Sequence, residues 1–438
     1  MSSSCHSQYA AARSYRMSSS AASRMLARSG LRQVVRIALC QALAFVPCVA
    51  WAVEYSAEPY VSFGALYNDN FDLTTAPHDT IWGAFAAAGA RFNGEAENWK
   101  VTGGADLKFN RYSESALNNT EGGLVLRSNY RTERNTLGLD LDLIRDNTLS
   151  GELATTGVAQ AYTPRNSLRI NPSFARALTE TTQLVFTYGF TAVNYQDTAN
   201  TSLIDYRQQI VNLGLEQKLA ERTTGSITAY YDEFETDPAN SRIQTVGIVA
   251  GIAHDFSETL HGSVRGGPRW TRSEVSSQTV VCAGPIILGV CSTTITTLTS
   301  DVQTDSSGFT ATAALSKRWE TGIVTGSIGR ELNPSGVGAL IQTDLLRATV
   351  SQDLSPTWMA ALDTGIYKSK YVGAAIAPNE STYFRIEPRV SWRITPNWTL
   401  DARYVFQRQK YEVLPDAASA NIVYVTVSYA WQKIAVSR

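Results

Sequence analysis

From Asn397 to Gln407 the chain reads Asn-Trp-Thr-Leu-Asp-Ala-Arg-Tyr-Val-Phe-Gln. Trp398, Leu400, Ala402, Tyr404 and Phe406 share one parity, and Thr399, Asp401, Arg403 and Gln407 the other. A period of two predicts a β-strand with one apolar and one polar face. The apolar face has an aromatic at its start and two near its end, about one hydrocarbon thickness apart for a tilted strand of ~10 residues. Ile394-Thr395-Pro396-Asn397 predicts a tight turn into it from the preceding strand.

The same alternation recurs along the chain. Strands are predicted at Pro59–Tyr67 and Ile81–Phe92, then where Val101, Ala105, Leu107 and Phe109 oppose Lys100, Asp106, Lys108 and Asn110. A fourth sets Leu124, Leu126 and Tyr130 against Arg127, Asn129 and Arg131. In the fifth, Leu137, Leu139, Leu141 and Leu143 oppose Asp140 and Asp142. A long loop, Asn147 to Asn166, precedes strands around Ile170, Phe186 and Leu213, then Ser226–Phe234 and Gln244–Ala253. The next puts His261, Ser263, Arg265 and Arg269 on the polar face, with Val264 and Trp270 opposite. The longest interruption is expected at Ser273–Ser307, followed by strands at Phe309–Leu315, Ile323–Arg330, Leu340–Ser351, Trp358–Tyr367, Tyr383–Arg393, Trp398–Gln407 and Ile422–Trp431.

A short turn repeats between them: Leu178-Thr-Glu-Thr-Thr, Leu219-Ala-Glu-Arg-Thr, Phe256-Ser-Glu-Thr-Leu, Trp319-Glu-Thr-Gly, Leu354-Ser-Pro-Thr-Trp and Ile394-Thr-Pro-Asn-Trp. Their starts lie 41, 37, 63, 35 and 40 residues apart. Each interval holds two long strands and one longer opposite loop, the hairpin unit of an up-and-down barrel; the outlier contains 273–307. Propeller blades also repeat at ~40 residues but need four short strands. The pattern predicts an all-β protein, a transmembrane antiparallel up-and-down β-barrel of about 18 strands over residues 53–438, with the short turns on the periplasmic rim.

Composition is compatible with this. The chain is 44% hydrophobic with a mean hydropathy of −0.15. No run reaches the ~20 apolar residues of a membrane-spanning helix, but a barrel hides from hydropathy because every second residue is polar. Residues 1–52 read as a signal peptide: Arg24, Arg28, Arg32 and Arg36, an apolar core Ile37–Val49, and the small-x-small site Ala50-Trp51-Ala52. Met17 and Met25 are alternative starts. The leader holds six of the 38 basic residues and none of the 39 acids, so the exported chain carries a formal charge of −7, which excludes a nucleic-acid-binding surface as its main feature. Cys282 and Cys291 remain after cleavage and, in an oxidising compartment, read as one disulfide, with two free thiols as the alternative.

The inward parity is heavily charged. Arg127, Arg131, Arg169, Arg265, Arg269, Arg347, Arg385, Arg389, Arg393 and Arg403 share it with Asp106, Asp140, Asp142, Glu216, Asp363, Glu387 and Asp401. Such ions are prohibitive in a dry core and suited to a water-filled lumen. They can form a selective substrate path or a salt-bridge network that holds the barrel round. Catalysis and metal binding find little support: His78, His254 and His261 show no triad or metal-ligand spacing, and no cofactor is expected.

Tyr67-Asn-Asp-Asn-Phe71, the repeated turns and the inward arginines on aromatic-rich strands resemble an outer-membrane β-barrel family encoded in bacterial exopolysaccharide loci, some members of which are tied to sorting of surface proteins. The resemblance covers most of 53–438. It implies a porin-like barrel passing or guiding polysaccharide, by analogy with alginate-export porins. The expected partners are outer-membrane lipid, the barrel-assembly machinery, anionic polysaccharide and envelope export components. A general small-solute porin and a non-conducting scaffold are the alternatives. Barrels of this kind commonly end on an aromatic, whereas this chain ends Ala435-Val-Ser-Arg438; Trp431 is the residue expected to serve, with the tail trailing free.

Overall fold

The structure is a computed structural model that describes residues 54–437 except 76–77, 159–161, 197–200, 238–240, 283–285, 288–289, 292–294 and 373–379; side chains are also left undescribed at 237, 276–301 and 436–437. The leader expected at 1–52 and the disulfide expected between Cys282 and Cys291 lie outside the described residues and side chains.

Eighteen strands close into one antiparallel barrel. They are β1 (Glu54–Asn68), β2 (Ile81–Ala96), β3 (Trp99–Tyr112), β4 (Asn119–Arg131), β5 (Asn135–Asn147) and β6 (Pro164–Ala177). Then come β7 (Thr182–Tyr195), β8 (Asp205–Ala220), β9 (Thr223–Asp237), β10 (Ser241–Asp255), β11 (Leu260–Cys282) and β12 (Ile295–Trp319). The last six are β13 (Gly322–Ser335), β14 (Ala339–Asp353), β15 (Trp358–Val372), β16 (Ser381–Arg393), β17 (Trp398–Tyr411) and β18 (Ala418–Ala430). Each pairs with its sequence neighbour, and β18 pairs with β1 from Ile422↔Asn68 to Ala430↔Tyr60. Closure satisfies every strand's ladder and leaves no open edge in lipid. The C-terminal tail does not trail free: Ile434–Ser437 extends β18's side of the seam and pairs with Ala57–Glu54.

The recurring turn motif has a chemical cause. At four of the six turns a hydroxyl at the second position accepts from backbone N–H groups two and three residues on. Ser355 Oγ accepts from Thr357 N (3.2 Å) and Trp358 N (3.1 Å), and Thr395 Oγ1 accepts from Asn397 N (3.3 Å) and Trp398 N (3.1 Å). Ser257 and Thr179 do the same. The Leu219 and Trp319 turns lack that hydroxyl and are two-residue connections.

Cross-strand rows fix which face meets lipid. Leu126, Leu141, Ile170 and Phe190 form one row, and Phe63, Ala86 and Phe109 another. Phe63 is 58% exposed, as a lipid-facing side chain is in a bare protein. Trp358 stacks on Trp392 (5.3 Å), and Trp398, Tyr429 and Trp431 pack at 4.9 and 5.0 Å at the short-turn rim, an aromatic girdle at the periplasmic interface. The protein is a transmembrane β-barrel. Ser273–Ser307, expected as a loop, is instead mostly strand: β11 and β12 stay paired from Leu260↔Lys317 to Cys282↔Ile295. Its β-branched Thr and Val residues suit a strand better than a coil.

The apolar residues that are buried lie inside the barrel. Val193, Tyr195, Leu203, Tyr206, Phe234, Ile243 and Leu340 form one cluster; Leu73, Leu153, Tyr367, Tyr383, Ala418 and Ala420 form another. Both sit in the half opposite the short turns.

Leu141→Arg places a charge near the middle of the lipid face and is expected to destabilise the folded barrel by ~2–4 kcal/mol. Asp140→Arg, on the inner face, is expected to cost less than about 1 kcal/mol. Equilibrium unfolding in lipid vesicles measures both, and equal costs would contradict the facing of β5.

Candidate functional site: a charged lumen crossed by a helix

Between β5 and β6 the chain forms a helix, α1 (Thr148–Thr156), where a plain loop is expected from sequence. Asn147 caps it: its Oδ1 accepts from Ser150 N (3.0 Å) while the Ser150 side chain returns to the Asn147 amide. Gly157 ends it in the left-handed region, at φ +66. A Cβ on Gly157 would lie 2.5 Å from Tyr367 Cβ, so glycine is needed both for the turn and for the close approach.

The helix leaves the wall at β5 and docks against strands on the other side. Thr156 O accepts from Ser369 Oγ of β15 and from Thr343 Oγ1 of β14 (3.5 Å), and Gly157 O accepts from Gln409 Nε2 of β17 (3.2 Å). These donors satisfy carbonyls that the helix end would otherwise leave bare. Leu153 sits between Leu73, Tyr367 and Tyr383.

A second element joins it. Pairing of β13 with β12 stops at Arg330↔Ala311, whereas pairing with β14 continues to Ser335↔Ala339. Above that point Ala339, Leu340 and Ile341 are all fully buried, so both faces of this hairpin tip are covered. The tip has left the wall and folded inward. Leu332 and Leu340 pack on the inner faces of β7 to β10. Gly336 O accepts from Ile204 N (2.6 Å), and Asn333 Nδ2 donates to Thr155 O (3.3 Å).

Charged groups line the inner wall around and below these elements. Arg127 Nη1 lies 2.5 Å from Asp142 and its Nε 3.6 Å from Asp140, with Arg169 3.9 Å from Asp142. Across the lumen Glu387 takes Arg385 and Arg403 (3.2 Å), with the Arg403 guanidinium 4.1 Å above the Tyr424 ring. Arg389 donates twice to Asp401 Oδ1 (3.0 and 2.7 Å). Arg265 donates to Thr312 Oγ1 (2.7 Å), and Arg347 to Tyr367 OH (2.5 Å). Among the described residues Arg265, Arg347, Arg131 and Arg393 have no carboxylate in ion-pair range, and the inward Asp106, Glu216 and Asp363 have no cation in range, so unpaired groups of both signs line the inner face. All seventeen charged residues predicted on this parity fall on the inner face by register.

Two of them do not line water as expected. Asp142 is buried, and Arg269 is 3% exposed beneath the hairpin tip, where it donates to Gln342 Oε1 (2.9 Å) and Thr271 Oγ1 (3.1 Å). Arg269 anchors the tip. The described elements that enter the lumen are α1 and the tip of β13–β14.

The histidines stay apart. His254 Nδ1 meets Thr223 Oγ1 (2.8 Å) and His261 Nδ1 meets Asp255 Oδ1 (2.6 Å). No cluster of three potential metal ligands occurs among the described residues.

Fold and site together define a transmembrane barrel whose lumen is crossed by its own chain. No family model and no curated protein matches it. Solved structures that resemble it include Acinetobacter baumannii OccAB3 (13% identity, TM-score 0.41, covering 87% of this chain and 99% of that one). Another is the outer-membrane protein OpdK of Pseudomonas aeruginosa (11%, TM-score 0.44, 86% and 99%). A third is the outer-membrane channel DcaP of A. baumannii (13%, TM-score 0.41, 87% and 98%). Likeness at this level bears on nothing beyond the barrel architecture.

Two predictions concern α1. Gly157→Ala is expected to weaken its docking by an amount of order 1–3 kcal/mol, read as faster hydrogen exchange at 148–157 with the barrel strands unchanged. The second concerns pH. Glu152 on α1 is 1% exposed, and burial pushes its carboxyl up to about 7, opposed by Arg165 (3.6 Å) and a Gly336 amide. Arg165 is already held by Asp146 (2.6 Å), while Tyr206 packs nearby. A raised carboxylate stabilises docking fully below its ordinary value and loses that contribution as pH rises toward and through about 7. Single-channel records are therefore expected to grow noisier from pH 5 to pH 8, and Glu152→Gln to abolish the difference.

Proposed function

We propose that this barrel is a passive channel for small polar solutes across the outer membrane, with a preference for negatively charged ones. The observation that carries the reading is the combination of an ion-lined inner face and a chain-built constriction at its extracellular half. Arg265 and Arg347, bonded to hydroxyls rather than carboxylates, offer guanidinium groups that a passing carboxylate or phosphate can meet in fork geometry. The paired arginines hold the wall's shape and contribute less to attraction.

This reading departs from polysaccharide export. A polymer needs a continuous wide path, whereas α1 and the inward tip put two buried apolar clusters inside the barrel. Those clusters also favour a second reading, a closed barrel acting as an envelope scaffold.

Liposome swelling with the refolded, leader-free barrel separates the three. Entry of small sugars and amino acids but not of longer oligosaccharides is expected, together with an anion-selective reversal potential in a salt gradient. Passage of long anionic oligosaccharides would restore the export reading, and electrical silence would select the scaffold.

A further inference from the structure

The outer face carries a local excess of positive charge where the lipid belt ends. On β15, β16 and β17 the belt begins at Trp358, Trp392 and Trp398 and runs up to the row Ile366–Phe384–Arg408. The next row up is Lys368–Thr382–Lys410. Ten residues at ~3.3 Å each, tilted by ~40°, cover ~25 Å, the height of a barrel's apolar band. Arg408, Lys368 and Lys410 therefore stand at the outer-leaflet boundary, and Lys370 one outward position higher. All four are exposed.

Their counter-charges are few. Lys368 lies 3.0 Å from Glu380 and 3.9 Å from Glu412. Asp344, directly opposite Lys368, is already held by Arg330. Lys370, Arg408 and Lys410 have no ion pair among the described residues. Some outward arginines at this rim are matched, Arg242 against Glu233 and Glu235 and Arg272 against Asp305, whereas Arg111, Arg145 and Arg207 stand singly on separate strands without an ion pair among the described residues. What distinguishes this sector is clustering: three unmatched cations fall within two strand spacings, or about 10 Å. Solvated lysines on a rim are ordinary. Three unmatched cations directly above an aromatic pair, Phe384 and Phe406 with ring centroids 6.2 Å apart, are a more specific arrangement.

We propose that this sector seats a phosphorylated glycolipid of the outer leaflet, its phosphates on Lys370, Arg408 and Lys410 and its acyl chains along Ile366, Phe384 and Phe406. The apolar row positions the chains at the height where the cations reach the headgroup. Each Lys or Arg near an anionic lipid surface attracts it, and the contributions accumulate. The seat lies outside the lumen and is independent of what the channel carries.

The test uses the full folded barrel in detergent, with bound lipid counted by native mass spectrometry. Diphosphoryl lipid A is the probe, and fully dephosphorylated lipid A and inorganic phosphate are the comparisons. The expected result is retention of the diphosphoryl form, loss of it as salt rises, and weakening on the order of a hundredfold in the Lys370→Gln, Arg408→Gln, Lys410→Gln triple variant. Arg242→Gln, in a matched sector, is expected to leave retention unchanged. Heat-modifiable gel mobility confirms folding; if the triple variant fails that check, Arg408→Gln and Lys410→Gln are measured singly. Equal retention by variant and parent, or equal retention of the dephosphorylated lipid, would overturn the proposal. Displacement of lipid A by millimolar inorganic phosphate alone would also overturn it, by assigning the cations to a free anion.

Discussion

Everything in this molecule depends on closing the sheet. In hydrocarbon an unpaired backbone N–H or C=O has no water to turn to, so a β-structure can cross only if its first and last strands meet. Here that seam is fastened at both ends. At the periplasmic end Ile434–Ser437 continues the pairing onto Ala57–Glu54 beyond the end of β18. At the other end the Tyr67–Phe71 segment folds back on β18. Asp69 accepts from Asn421 N and Nδ2 (both 2.7 Å), and buried Asn70 donates to Ser419 O (3.0 Å). The polar run that suggested a family resemblance thus has a local structural task.

Closure also decides where a core can form. The outer face must be apolar for lipid, so tight apolar packing is left to the inside, and only where the chain returns to fill it. α1 and the β13–β14 tip supply that filling in the extracellular half. The remainder of the inner wall carries charges that water or neighbouring ions can satisfy. Asp142 and Arg269 sit at the border between these regions. Arg269 is buried without a carboxylate, an arrangement costly in isolation that is offset in part because Thr271 and Gln342 accept hydrogen bonds from its two Nη groups.

The barrel itself was legible in the sequence. Strict parity in stretches such as Leu137–Leu143 and Trp398–Phe406, and the hydroxyl-bearing turns, predicted strands, facing and strand number. They do so because lipid on one side and water on the other impose a period of two on every strand. The filling elements were less legible. Thr-Leu-Ser-Gly-Glu-Leu-Ala-Thr-Thr is short, interrupted by Gly151 and rich in β-branched residues, so its helix owes more to docking than to propensity. The reciprocal Asn147–Ser150 cap was its one local signal. For the tip, the unbroken apolar run Ala339-Leu340-Ile341 marked burial on both faces, but alternation further along β14 masked it. Charge pattern showed which residues face inward. It could not show that Arg269 is covered, because the cover comes from β14, seventy-three residues further along the chain.

The central claim is that the chain's own α1 narrows the lumen. The most direct measurement compares single-channel conductance of the intact barrel with one in which 148–157 is replaced by an equally long Gly-Ser linker. The account predicts a clear rise in unitary conductance and passage of larger sugars, with strand content and heat-modifiable mobility unchanged. Equal conductance in the two proteins would contradict it and place the limiting constriction elsewhere.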